Sequence, residues 1–211
     1  MTAEEPGAGR FGATRKEAPR EAPDVEMQLQ ELVLNSRDIA AFLTDLAVVA
    51  SARLSSPGNR IHTGVTIIRH KRPEAVAGSD AAARALDVLQ NGFGDGPCLT
   101  ALRTGAPLLV SDLSCEHRWA AYVKLAAEKG VSSILAVPLD LGGEAEAVMN
   151  LYSGRSNGFS DDDLSTVEAF ADQAAGSLRL VLRLSQLSED RTPSVMTTTS
   201  GEKDVVTCVD E

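Results

Sequence analysis

Cys98, the histidines His62, His70 and His117, and the alternating glycines Gly92, Gly94 and Gly96 are the residues whose types suggest chemistry. Cys98 follows Pro97, a residue suited to the first position of a helix, so its thiol would sit in a first turn. The positive dipole end there favours a thiolate and would suit redox sensing; the competing and preferred reading is a small buried apolar side chain. Glycines at alternate positions let backbone N–H groups approach a phosphate at a helix N-terminus. No Lys-Ser/Thr follows them and a predicted helix precedes them, where a dinucleotide motif needs a strand, so they read as turn-makers. Asp95 between them is a candidate cap for the next helix.

Other chemistry is excluded more directly. Cys98, Cys115 and Cys208 form no C-x-x-C pair and an odd, widely spaced set builds no disulfide framework, so reduced thiols are expected. The histidines do not fall at zinc-ligand spacing and there is no H-E-x-x-H, so no metal is expected. No Ser-His-Asp set or carboxylate pair assembles, and no enzymatic activity is expected. Asn150, within an apolar run, needs a partner if buried, either a ligand or the backbone. Arg69, Lys71 and Arg72 read as a solvated basic hairpin tip, with a docking patch as the lesser alternative.

These residues must be positioned by a chain of 211 residues, which suits one core with tails. Hydrophobic residues at 43% and charged ones at 24% are a globular mixture. A formal charge of -10 and 4% aromatics argue against phosphate-neutralising or base-stacking surfaces, so direct nucleic-acid binding is not expected. No membrane-length apolar run or signal sequence is read, and a cytoplasmic protein is expected.

Residues 1–24, rich in Pro, Gly and charge, read as a disordered tail. Val25, Leu29, Leu32, Ile39, Leu43, Leu46 and Ala50 share a helical face to about Leu54, with a break at Asn35-Ser36 where either residue would cap a second helix. Residues 61–68 and 74–78 read as a hairpin, and Asp80 caps a helix ending at Asn91-Gly92. A short helix from Pro97, a strand at 107–110 and a helix over 119–129 follow. Residues 133–139 and 146–152 read as two central antiparallel strands, with Pro138 near an end or edge. Ser160 and three aspartates open a long helix, 160–187, with Leu164, Val167, Ala171, Ala174, Leu178 and Val181 on one face. Residues 188–211 read as an acidic Thr/Ser-rich tail with 205–209 as a possible strand, and its six carboxylates outnumber its two cations.

This is an α+β order of elements. The stretch Gly92–Leu113 (G-F-G-D-G-P-C-L-T-A-L-R-T-G-A-P-L-L-V-S-D-L) resembles the GAF domain of actinobacterial regulators, as do Arg118-Trp119, Gly130–Leu139, Met149–Ser153 and Phe159–Asp163. The resemblance covers about residues 28–186 and assigns 25–187 to a GAF domain. It implies a PAS-like antiparallel sheet of five to six strands, terminal helices on one face and inserted short helices over a small-molecule pocket on the other. It is nearest to the sensor half of GAF–ANTAR antitermination regulators, whose helical ANTAR module binds RNA; the acidic segment after Leu187 does not match that module. The methionine-sulfoxide-reductase, cyclic-nucleotide, bilin and haem patterns of other GAF proteins are not matched.

The resemblance places a pocket lid at His117, Trp119 and Tyr122, with core packing as the alternative for both aromatics. Phe93, Cys98, His117, Trp119, Tyr122 and Asn150 are the candidate ligand-binding residues for a small molecule of unknown identity, and no cofactor can be named. Leu180, Leu182, Leu184 and Leu187 widen the apolar stripe of the last helix beyond one sheet face, which predicts a homodimer through the terminal helices. A ligand-free module docking to a separate effector is the competing expectation, and a Cys98-based redox sensor or enzyme the third.

Overall fold

The computed structural model describes residues 24–69, 72–143 and 145–189. Most of the expected tails, the strand at 205–209 and the tip residues His70 and Lys71 lie outside them, whereas Asp24 caps the first helix and residues 188–189 close the last one, two residues beyond the expected end. Five antiparallel strands form one sheet: β1 (Ile61–Arg69), β2 (Arg72–Gly78), β3 (Leu108–Val110), β4 (Ser133–Leu139) and β5 (Glu146–Ser153), in the order β2-β1-β5-β4-β3. Six α-helices cover its faces: α1 (Val25–Asn35), α2 (Ile39–Leu54), α3 (Ala81–Phe93), α4 (Pro97–Thr104), α5 (Ala120–Glu128) and α6 (Asp161–Glu189).

Strand alternation sorts the side chains into two layers. Val65 and Ile67 of β1, Leu135, Val137 and Leu139 of β4, and Ala147, Met149 and Leu151 of β5 pack against Leu29, Phe42, Leu43, Leu46, Val167, Ala174 and Leu178 of α1, α2 and α6. At about 1.5–3 kcal/mol for each fully buried large apolar side chain, this layer is the main source of stability. The opposite face carries Gly64 and Thr66 of β1, Ile134 and Ala136 of β4, and Val148, Asn150 and Tyr152 of β5. It is covered by α3, α4 and α5.

Caps fix the helix ends. Ser160 and Asp163 form a reciprocal capping box: Ser160 N–H and Oγ–H donate to Asp163 Oδ2 (2.8 and 2.7 Å) and Asp163 N–H donates to Ser160 Oγ (3.2 Å). The break between α1 and α2 falls slightly later than expected: Asp38, not Asn35 or Ser36, caps α2 by accepting from Ala41 N–H at 2.7 Å. α3 runs past Asn91-Gly92 to Phe93 and ends on Gly94, whose φ of +64° is the left-handed conformation glycine adopts without a Cβ penalty. Asp95 does not cap α4; the cap position is Gly96, and Asp95 instead accepts from Gly96 N–H and pairs with Arg103 at 2.8 Å. Pro138, next to last in β4, lies beyond the last residue paired with the short edge strand β3, near the strand end as expected.

Candidate functional site

The register sets the floor of the site. Asn150 of β5 pairs with Gly64 of β1 on one side and Ala136 of β4 on the other, so a polar side chain stands between two minimal ones. α3 lowers Asp87 into this space. Ala83, Leu86, Asp87 and Gln90 form its buried stripe, and Asp80, which accepts from Ala83 N–H at 2.9 Å and lies 2.6 Å from His62 Nδ1, fixes its start. The Asp87 carboxylate lies so close over Gly64 that a Cβ there would stand 2.0 Å from Asp87 Oδ2. Glycine at 64 is what allows an acid to reach the strand.

Asp87 is completely buried. Its Oδ1 accepts from Asn150 Nδ2 at 3.0 Å and from the Tyr152 hydroxyl. Burial pushes its pKa from the ordinary 3.8 up to about 7, against the opposing effect of Tyr152, Asn150 and Thr66. Around it Asp87 Oδ2, Thr66 Oγ1, Gln90 Nε2, Asn150 Oδ1 and Tyr122 Oη have no hydrogen-bond partner within 3.5 Å among the described residues, Thr66 acting on the Asp87 carboxylate from just beyond that distance. Buried polar atoms are nearly always satisfied, so such a concentration marks this face as the chemically distinctive part of the molecule.

Cys98 enters from α4, fully buried, with its backbone N–H donating to Gln90 Oε1 at 3.3 Å. Gly96, with φ of +150°, permits this: a Cβ would meet Gln90 Cγ and Oε1 at 2.8 Å. Burial pushes the Cys98 thiol up to about 12, opposite to the depressed value that a helix first turn suggested. Desolvation has overridden the dipole, and a thiol of this kind is a poor nucleophile at neutral pH.

The six residues expected at a ligand site therefore divide. Cys98, Tyr122 and Asn150 converge on the Asp87 cluster. Phe93 and Trp119 join Tyr122 in a neighbouring recess of ≈ 190 Å³, with Asp95, Arg118, Ala120 and Ala121 completing the wall. His117 is exposed and does not line that recess. Asp87, Gln90, Thr66 and Tyr152 escaped sequence reading. Their signal was a helical stripe in which an acid and an amide flank Leu86 and Leu89 while Val88 faces solvent, together with a glycine inside a β-branched strand.

Among the described residues no group of three or more His, Cys, Asp or Glu is arranged to hold a metal ion, and no helix is long and apolar enough to cross a membrane. A groove of ≈ 690 Å³ between α1 and α6, lined by Leu29, Val33, Leu34, Gly176 and Leu180 among others, lies on the opposite side of the sheet. Leu34, Leu180, Leu184 and Leu187 of these helices are exposed, whereas Leu182, counted with them from the sequence, is buried in the core.

A family model described as "GAF domain" matches residues 26–179. Among solved structures, the GAF domain from a phosphoenolpyruvate-protein phosphotransferase of Coxiella burnetii is 17% identical with a TM-score of 0.54, covering 79% of this chain and 95% of that one. The N-acylhomoserine lactone dependent LuxR family transcription factor CepR2 from Burkholderia cenocepacia is 16% identical with a TM-score of 0.51, covering 78% and 96%. Free methionine-R-sulfoxide reductase from Neisseria meningitidis, in complex with its substrate, is 19% identical with a TM-score of 0.51, covering 78% and 89%. At these identities the likeness is one of fold. No curated protein matches the sequence.

Proposed function

Because this chain belongs to the GAF domain family, we propose that it is a regulatory sensor. In this reading a small polar molecule binds between α3, α4, α5 and the sheet, and binding is reported through α1 and α6. The single observation that carries it is the cluster of buried, unpartnered polar atoms around Asp87, because hydrogen-bonding capacity left unused inside a protein is costly unless something supplies the partners. The exposed leucines of α1 and α6 support a homodimer as the output state. The stretch from Gly92 to Leu113 supports placing the chain beside the sensor halves of GAF–ANTAR regulators, with the effector on another segment or partner.

A catalytic reading takes its support from the shared fold of the methionine sulfoxide reductase. The buried thiol of Cys98 argues for the sensor instead. The two part on one experiment. A panel of polar metabolites is added while the side-chain amide NMR signals of Asn150 and Gln90 and the Tm are followed. A sensor gives at least one compound that moves both amides and raises Tm by preferential binding to the folded state, with no turnover of the compound. Turnover that disappears in Cys98→Ser establishes the enzyme.

A further inference from the structure

The recess beside the cluster has a chemistry of its own. Three of the chain's eight aromatic side chains, Phe93, Trp119 and Tyr122, line it, although aromatics are only 4% of the sequence. Phe93 meets Tyr122 edge to face, with ring centroids 6.3 Å apart and planes at 70°. Trp119 presents the face of its indole, and the guanidinium carbon of Arg118 lies 4.4 Å from that ring's centroid. The ring therefore already receives a cation, one that belongs to the chain itself.

Arg118 is anchored independently of the ring. Its Nε donates to Glu116 Oε1 and Oε2 at 3.0 and 3.1 Å, and its Nη2 donates to Oε2 at 2.6 Å. Its charge is met by Glu116 as well as by the indole, and its side chain is 57% exposed, so the position over the ring is held from the solvent side. Asp95 adds a carboxylate to the wall, held below the usual carboxylate range chiefly by Arg103. Aromatic faces attract positive charge, and the Asp95 carboxylate, although paired with Arg103 at 2.8 Å, keeps an oxygen able to face a cation. The volume of ≈ 190 Å³ is below the roughly 300–1,000 Å³ of drug-sized sites and suits a compact head group.

We propose that this recess binds a small organic cation of the alkylammonium class, for which Arg118 is the built-in competitor. The proposal deepens the sensor reading and rests on it to the extent that this face of the sheet receives the ligand.

Trp119 is the only tryptophan, so its fluorescence reports the recess without ambiguity. The full chain is titrated with choline and, separately, with 3,3-dimethylbutan-1-ol, its uncharged isostere, at ionic strength balanced with KCl. Choline is expected to give a saturable change that the alcohol does not reproduce at equal concentration. Arg118→Ala, at an exposed position, is expected to tighten choline binding at least threefold, and calorimetry on Trp119→Leu is expected to show its loss. An equal response to both compounds, no response to choline in either wild type or Arg118→Ala, or weaker binding in Arg118→Ala overturns the proposal. If choline fails while polar metabolites still move the Asn150 and Gln90 amides, the cation site falls and the sensor reading stands. If choline behaves as expected while no compound moves those amides, the reverse holds.

Discussion

At the scale of single residues, the buried acid dominates. Asp87 has an ordinary pKa of 3.8 when unfolded and about 7 when folded, so between these values the folded state holds the extra proton. Its contribution to stability is complete below about pH 4 and is lost as pH rises through 7. At about 1.36 kcal/mol per pH unit, the displacement corresponds to a cost on the order of 4 kcal/mol at pH 8. Asp87→Asn keeps an acceptor for Tyr152 and Asn150 and adds a donor on the Thr66 side. Chemical denaturation is expected to find the variant more stable than wild type by about 2–4 kcal/mol at pH 8, with the gain gone at pH 4. A difference independent of pH would show that Asp87 does not titrate in this way.

Gly64→Ala places a methyl within 2.0 Å of the same carboxylate and is expected to cost about 3 kcal/mol or more. Combined with Asp87→Ala, part of that cost should return, with a coupling above ~1 kcal/mol in a double-mutant cycle. Additive effects would mean that the two positions do not meet. Cys98→Ser is expected to leave reactivity toward a thiol reagent almost unchanged in the native state, since the other described cysteine, Cys115, is exposed. That experiment also checks the value of about 12 given to Cys98.

Elements were more legible than the contacts between them. The seven-residue runs of apolar and β-branched side chains, the Asp80 cap, Pro97 and the Ser160 capping box each act over a few residues, so local rules located α3, α4, α6 and the β4–β5 pair. Competing caps blurred the ends: at the α1–α2 break Asn35, Ser36 and Asp38 all have suitable side chains, and only the geometry selects Asp38. Cys98, Tyr122 and Asn150 of the Asp87 site were legible, but the placement of Asp87 itself was not, for a different reason. It depends on a register that puts Asn150 opposite Gly64 and on a helix from elsewhere in the chain landing above that pair. Nothing within a short window of sequence specifies either.

The same scale carries the prediction for assembly. Leu180 and Leu184 are 48% and 51% exposed on α6 beside the α1 groove, and the proposed homodimer would cover them with a second copy. Leu180→Lys with Leu184→Lys is expected to turn a dimer into a folded monomer in sedimentation velocity while leaving Tm within a few degrees. A wild type already monomeric at micromolar concentration removes the dimer from the account.

On the scale of the whole molecule, the sheet separates two kinds of interior. One face is an apolar layer shared with α1, α2 and α6, the elements that carry the exposed leucines. The other is held by α3, α4 and α5 over a polar floor. The acidity of the chain, -10 in total, is unfavourable for holding a phosphate polymer. It also fits an acid and aromatic faces turned toward a small cationic or N–H-bearing ligand. β5 connects the faces directly, because Met149 and Leu151 point into the helical layer while Asn150 and Tyr152 point into the site. In the proposed sensor, a bound molecule that favours a shifted position of that strand would reach both sides.

Coupling between the Asp87 site and the terminal helices is read in a single two-dimensional NMR titration of the full chain with polar metabolites, following the Asn150 side-chain amide together with the backbone amides of α1 and α6. Sensing coupled through β5 is expected to yield a compound that moves all three sets along one saturation curve. A panel that leaves Asn150 unmoved, or a compound that moves Asn150 while α1 and α6 stay still, would contradict it.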